Sequence, residues 1–351
     1  MKDDGQDLED RYRRVLRVLP GYYRDQWEDD MVAAYLDSRV TGDEAEDEYV
    51  AEFGRPALTE VASVARLAVR LYLGGASTPR RYFAWGQAVR RAVLAVTLVH
   101  AMAGLDALVL LDWNRRMVSW LPAPPASLAS VTPVGVLPPT VWHLVDCAWI
   151  VTLLALALGH YRAARFIAAA AIVPNLIWLL YGEFTGTLAT LAIGPWAFWI
   201  LLNLVPVLAM AAFHRDAPPA ARWPWLVALP AGYLLVAVPL MVVKATGNGA
   251  WLPDNSGLLC LLVMLACVAH APRALSRRTA VSGVWSLTLT LLAALAGAYR
   301  IASLNDYRRD PHLIAVGLVE LLIMVAAVTL VVTDAGRTQA ATPPPPHPQL
   351  S

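Results

Sequence analysis

Three acids sit where acids are costly. Asp106, Asp146 and Glu320 fall inside long apolar runs, over residues 92–111, 141–160 and 312–333. Ionisable side chains in a hydrocarbon layer mark functional candidates, because each must be paired, hydrated or neutralised there. His143 lies three residues before Asp146, one helical turn away on the same face. Asn175 falls in the apolar run 164–182, and Arg300 closes the run 281–300. With a cytoplasmic N-terminus and alternating spans, a 1.5 Å rise per residue puts the three acids about 7–12 Å beneath the outer surface. His143 and Asn175 share that band, and Arg300 lies just above it. The chemistry this supports is an outward-facing polar pocket or proton site, with Arg300 able to pair with a carboxylate. The other reading is polar contact between helices, with acids near span ends reaching headgroup water. Both readings stay open from the sequence.

Other chemistry has little support. His100 and Asn203 lie deeper in their runs and read as packing hydrogen-bond donors and acceptors. Cys147, Cys260 and Cys267 lie in apolar runs without CxxC spacing, as small apolar residues of a bundle. No GxxxxGK[ST], HExxH or GxSxG motif occurs, so neither an ATPase subunit nor a hydrolase is expected, and the chain is read as a non-enzyme. His143-Leu-Val-Asp146 lacks a second His–carboxylate pair, so no metal is expected, and no cofactor motif is present.

The elements that must carry these residues are membrane helices. The chain has 351 residues, 58% hydrophobic and 16% charged, well below the roughly 25% charged residues of soluble domains. Its net charge of +1 hides a division. Residues 1–75 hold 17 acids against 10 bases, and the remainder 10 acids against 18 bases. Two regions in different solvents are the simplest cause. Since a span needs about 20 mostly apolar residues, eight candidates appear: 92–111, 141–160, 164–182, 191–213, 223–243, 256–272, 281–300 and 312–333. The sixth is short and Pro195 and Pro206 interrupt the fourth, so seven spans are also possible. With the N-terminus inside, 12 flanking bases fall on the cytoplasmic side and six outside, which favours cytoplasmic N- and C-termini. Trp113, Trp120, Trp142, Trp223, Trp225 and Trp251 near span ends suit an aromatic belt.

The first 75 residues read as a small acidic helical domain. Leu8, Tyr12, Val15, Leu16 and Leu19 form one stripe, and Pro20-Gly21 is expected to end that helix. Tyr23, Trp27, Met31, Ala34 and Tyr35 form a second. Thr41-Gly42-Asp43-Glu44 matches a capping box opening a short helix with Ala45, Tyr49 and Phe53 on its apolar side. Gly54 is expected as its left-handed stop and Pro56 in the first turn of the next helix. Leu58, Val61, Ala62, Ala65, Val69 and Tyr72 are expected to bury that last helix. About 70 residues is close to the lower limit for a self-sufficient core, so the domain is expected to lean on a partner or the membrane.

Val18-Leu19-Pro20, Tyr22-Tyr23-Arg24, Trp27-Glu28-Asp29-Asp30-Met31 and the corner Phe53-Gly54-Arg55-Pro56 carry a resemblance. Over residues 8–75 the segment resembles the HAAS domain, the DUF1700 family, and the related permease-prefix segments. The resemblance implies a membrane-anchored regulatory protein whose prefix meets a cytosolic partner, a PadR-type regulator or a transport component, at a corner formed by Phe53, Gly54, Arg55 and Pro56. Direct nucleic-acid binding is not expected of so acidic a prefix. Only two of the 28 bases are Lys, as in GC-rich bacterial, actinobacterial genomes. The expected architecture is all-α. An acidic cytosolic four-helix domain (1–75) is followed by a basic linker (76–91), a transmembrane bundle (92–333) and a disordered Pro-rich tail (334–351). The function expected is regulatory or sensory signalling from a bacterial plasma membrane, the alternative a transporter subunit using the polar cluster.

Overall fold

A computed structural model describes residues 4–40, 42, 49, 53–75, 78–116, 139–185, 200–214, 217, 221–245, 255–276, 280–304 and 311–340. Among these residues there is no strand. The helices are α1 (Asp4–Leu16), α2 (Gly21–Asp37), α3 (Leu58–Tyr72), α4 (Arg80–Arg116), α5 (Pro139–Ala157) and α6 (Tyr161–Phe184). They continue with α7 (Val205–Ala209), α8 (Arg222–Gly232), α9 (Val238–Ala245), α10 (Asn255–Ser276), α11 (Ala280–Leu304) and α12 (Pro311–Ala340). A π turn, Ile200–Leu204, leads into α7 and a 3-10 turn, Met210–Ala212, leaves it. A second π turn, Tyr233–Ala237, joins α8 to α9. The chain divides into two compact units, Met1–Gly86 and Gln87–Ser351.

The N-terminal unit has its own core. Leu8, Tyr12, Leu16 and Leu19 bury against Val32 and Tyr35 of α2 and Val64 and Ala68 of α3. The Tyr12 and Tyr35 rings stack at 4.0 Å between centroids. Arg39 donates to both Glu60 oxygens at 2.8 and 2.9 Å, tying the end of α2 to the start of α3. Glu60 also accepts from the Ala57 backbone N–H at 2.8 Å, satisfying a donor at the helix start.

Several expectations for this unit are corrected. Pro20 precedes α2 as its N-cap, and α1 already ends at Leu16. Trp27 and Ala34 are exposed, and Val32 takes the core position in their place. Among the described residues the glycines with positive φ are Gly42, Gly74 and Gly159, so Gly54 makes no left-handed stop. Pro56 stays outside α3, whose N-cap is Ala57. The buried face of α3 is Val64 and Ala68 with Leu67 and Leu71 beside them, whereas Leu58, Ala62, Ala65, Val69 and Tyr72 are exposed. The expected linker is helical from Arg80 onward, and α12 runs to Ala340, into the stretch read as a tail. Most of the capping box and short helix of residues 41–52, the long Pro-rich loop, Trp120, Trp251 and the polyproline end lie outside the described residues.

Small residues let the chain turn back on α4. A Cβ on Gly86 would lie 1.6 Å from the Leu73 carbonyl oxygen, and one on Gly74, at φ +68°, 2.4 Å from that of Tyr82. Only glycine permits these approaches.

Among the described residues five helices are long and apolar enough to cross a membrane: Arg80–Val109, Tyr161–Tyr181, Arg222–Leu240, Gly283–Leu304 and Pro311–Thr333. Shorter apolar helices, Leu144–Ala157, Ile200–Ala212 and Ser256–Pro272, occupy the other three candidate segments. The chain is therefore built as a membrane protein. Residues of α4, α5, α6, α7 and α8 share one core around Leu94, Leu153, Ala168, Met210 and Leu229. Residues of α10, α11 and α12 form a second around Cys260, Ala296 and Met324.

Candidate functional site

The expected polar cluster resolves into separate groups among the described residues. The first is on α10, α11 and α12. Arg300 (3% side-chain exposure) pairs with Glu320 (16%) at 2.8 Å. Its Nη1 donates to Ser256 Oγ at 2.8 Å, and Ser256 and Ser303 hydroxyls lie 2.8 Å apart. Ser303 donates to the Arg300 carbonyl at 2.8 Å. Gly317 makes room, since a Cβ there would lie 3.0 Å from Arg300 Nε and 2.4 Å from Leu304. A buried guanidinium thus meets the Glu320 carboxylate and a hydroxyl pair. Such pairs survive burial when hydrogen bonds satisfy the remaining protons.

The second group is on α4 and α5. Gly104 lets the helices touch: a Cβ there would lie 2.5 Å from the Asp146 carbonyl oxygen. Asp106 is two residues past that contact on α4, and Tyr233, opening the second π turn, lies within electrostatic reach of Asp106. His143 lies on α5 one turn before Asp146, and its side chain is outside the described set.

Asn175 joins neither group in any contact shown. Its amide donates to the Ala171 carbonyl of its own helix at 3.4 Å. Phe53 and Arg55 of the corner are exposed, and Gly54 is held by Arg11 Nη1, which donates to its carbonyl at 2.7 Å.

His100 earns a structural role that its sequence position only hinted at. Pro206 lacks the N–H that would reach the carbonyl four residues back, Leu202. His100 Nε2 lies 2.8 Å from that oxygen, and the ring stacks on Trp149 at 4.4 Å. A carbonyl only accepts, so Nε2 carries the proton. The signal was the Leu202–Pro206 spacing, which announces a carbonyl in need of a donor from elsewhere. Ser256 and Tyr233 had no comparable signal.

Arginines close the other end of the α4–α8 core. Arg90 donates to the Ala212 carbonyl at 3.0 Å and Arg165 Nε to that of Met210 at 3.0 Å. Both satisfy carbonyls where α7 and its 3-10 turn stop, the end a cation suits. Arg91 lies over the Trp285 ring of α11 at 4.6 Å. Among the described residues no three of His, Cys, Asp and Glu converge to hold a metal.

What this arrangement can do is limited and definite. It can bury the Arg300–Glu320 ion pair, bring α4 and α5 into close contact at Asp146, and present the corner and faces of a separate N-terminal unit. Comparison with protein-family models, curated proteins and solved structures finds no significant match.

Proposed function

We propose that this is a multi-pass regulatory or sensory protein of a bacterial plasma membrane, whose HAAS-like prefix recruits a cytosolic partner. The carrying observation is the separate N-terminal unit, which has its own core while Asp10, Asp25, Asp29 and Asp30 of α1 and α2 stay exposed. An acidic face of that kind attracts a basic protein surface and repels nucleic acid, which suits a partner such as a PadR-type regulator. On this reading both termini are cytoplasmic, eight helices cross, and the protein is not an enzyme. The positive-inside balance and the arginines at the α7 end support that orientation. The test is capture from membranes of the source bacterium with the tagged full chain. A chain lacking residues 1–75, and one carrying Asp25→Asn, Asp29→Asn and Asp30→Asn, serve as controls. A regulator or transport component retained only by the native prefix is expected. Identical recovery from all three chains would overturn the reading.

One observation favours a second reading, a transporter subunit. The Gly104–Asp146 contact joins the two helices that carry Asp106 and Asp146, acids within apolar segments of the kind a coupling-ion site uses. Asp106→Asn should then abolish uptake while leaving the protein in the membrane. Unchanged uptake across a substrate panel removes that reading.

A further inference from the structure

We infer that the outward face of α3 is a docking surface for the anionic bilayer, so that the N-terminal unit lies on the membrane and turns α1 and α2 to the cytosol. This goes beyond partner recruitment and rests only on the cytoplasmic placement of the N-terminus.

Helix α3 has two apolar stripes. One, Val64, Ala68 and their neighbours, is consumed by the unit's own core. The other recurs at i, i+4, i+7, i+11 and i+14: Leu58, Ala62, Ala65, Val69 and Tyr72. At 100° per residue these five fall within an 80° arc. All are exposed, Leu58 at 87%. Arg66 and Arg70, also exposed, follow on one flank of that arc. An apolar stripe edged by arginines is the pattern of a helix lying in the headgroup–acyl boundary.

Charge separates this surface from the rest of the unit. Residues 1–52 carry 16 acids against seven bases, whereas residues 53–86 carry one acid against five. That one acid, Glu60, is occupied by Arg39. Arg55, Arg80 and Arg81 are exposed as well. Aromatic residues suited to an interface accompany them: Tyr72 packs edge-on against Tyr82, and Trp85 is exposed.

Tethering selects the occupant. α4 starts within this unit and continues as the first helix able to cross a membrane, so the bilayer is held at high effective concentration. A second copy would bring arginine against arginine, which disfavours that partner. Anionic inner-leaflet lipid complements both the charge and the apolar stripe.

The test uses the full chain in nanodiscs of phosphatidylcholine alone, or of phosphatidylcholine with phosphatidylglycerol. Cys147, Cys260 and Cys267 are replaced by Ala, and an environment-sensitive probe is attached through Leu58→Cys or, as the cytosolic control, Asp29→Cys. In anionic discs the Leu58 probe should shift to the blue and be quenched by lipid-borne nitroxide, while the Asp29 probe is quenched by a water-soluble agent. Arg66→Gln should lower the docked-to-free ratio about fivefold, the contribution of one base near an anionic surface, and Arg66→Lys should restore it. Hydrogen exchange on the unsubstituted chain gives an independent reading: α3, and not α2, should exchange more slowly in anionic than in neutral discs. A Leu58 probe as open to water as the Asp29 probe overturns the proposal. So does a Leu58 probe shielded from both quenchers, which would mean that protein covers the face. Neither result bears on whether the acidic face recruits a partner.

Discussion

Glu320 meets Arg300 at 2.8 Å, and both side chains are largely buried. Glu320→Gln leaves a buried guanidinium without its counter-charge, and about 3–5 kcal/mol of stability should be lost, read as a lower unfolding temperature in nanodiscs. Replacing both partners, by Arg300→Met and Glu320→Leu, should cost far less, because no charge is then stranded. His100→Phe makes a different separation. It keeps an aromatic ring for Trp149 but leaves the Leu202 carbonyl without its imidazole donor, costing about 1–3 kcal/mol by the same measurement. In the N-terminal unit Tyr12, Tyr22 and Tyr35 titrate late. Burial, then Tyr82 and Tyr23, pushes the Tyr22 phenol up to about 12. Burial also raises Tyr12, with Glu60 and Tyr35 adding to it, and raises Tyr35. A phenol with a raised folded pKa stabilises the fold fully below the unfolded value, about 10, and loses that contribution as pH climbs to the folded value. Thermal melts of residues 1–86 should therefore fall between about pH 10 and 12, and Tyr22→Phe should flatten part of that fall.

Among elements, apolar content was legible and direction was not. All eight apolar segments hold apolar helices because hydropathy is a property of the segment alone. The facing of α3 belongs to its neighbours. Leu58, Ala62, Ala65, Val69 and Tyr72 have the right period, yet so do Val64, Ala68 and Leu71. The second set wins because Leu16, Leu19 and Tyr12 already supply the complementary surface. The polar residues behave in the same way. Depth along a helix follows from counting, so the Arg300–Glu320 pairing was foreseeable. Rotation about the axis does not follow from counting, so Asn175 turned to its own helix unannounced. Close backbone approach was also hidden, since Gly104 looks like any glycine until Asp146 is set against it. Gly104→Leu should force α4 and α5 apart and lower the unfolding temperature more than Gly159→Ala, although Gly159 takes the strained left-handed backbone, because nothing lies within 4 Å of Gly159. Parallel melts of the two variants decide it.

At the scale of the molecule, two compact units with separate cores imply two separable transitions. Urea acts on the water-exposed unit more readily than on helices held in detergent or lipid. The full chain should therefore lose the Tyr12–Tyr35 stack at a urea concentration that leaves most helical ellipticity intact. Near- and far-ultraviolet circular dichroism would report the two events. Coincident transitions would mean that the units unfold as one.

The Arg300–Glu320 bond also has a direction in time. Ribosomes make α10 first, so Ser256 is present when Arg300 emerges, but Glu320 comes later still. For the interval needed to synthesise α12, α11 must enter the bilayer without the Glu320 carboxylate for its arginine, and an arginine at mid-membrane costs about 2.5–3.5 kcal/mol to insert, less near an end. Nascent chains stopped before residue 311 should insert α11 poorly and be degraded quickly. Arg300→Leu should rescue the stopped chains, losing only the Arg300–Ser256 hydrogen bond among the contacts described above. In the finished protein α11 depends on α12 for its ion pair, so loss of α12 would be felt first by α11.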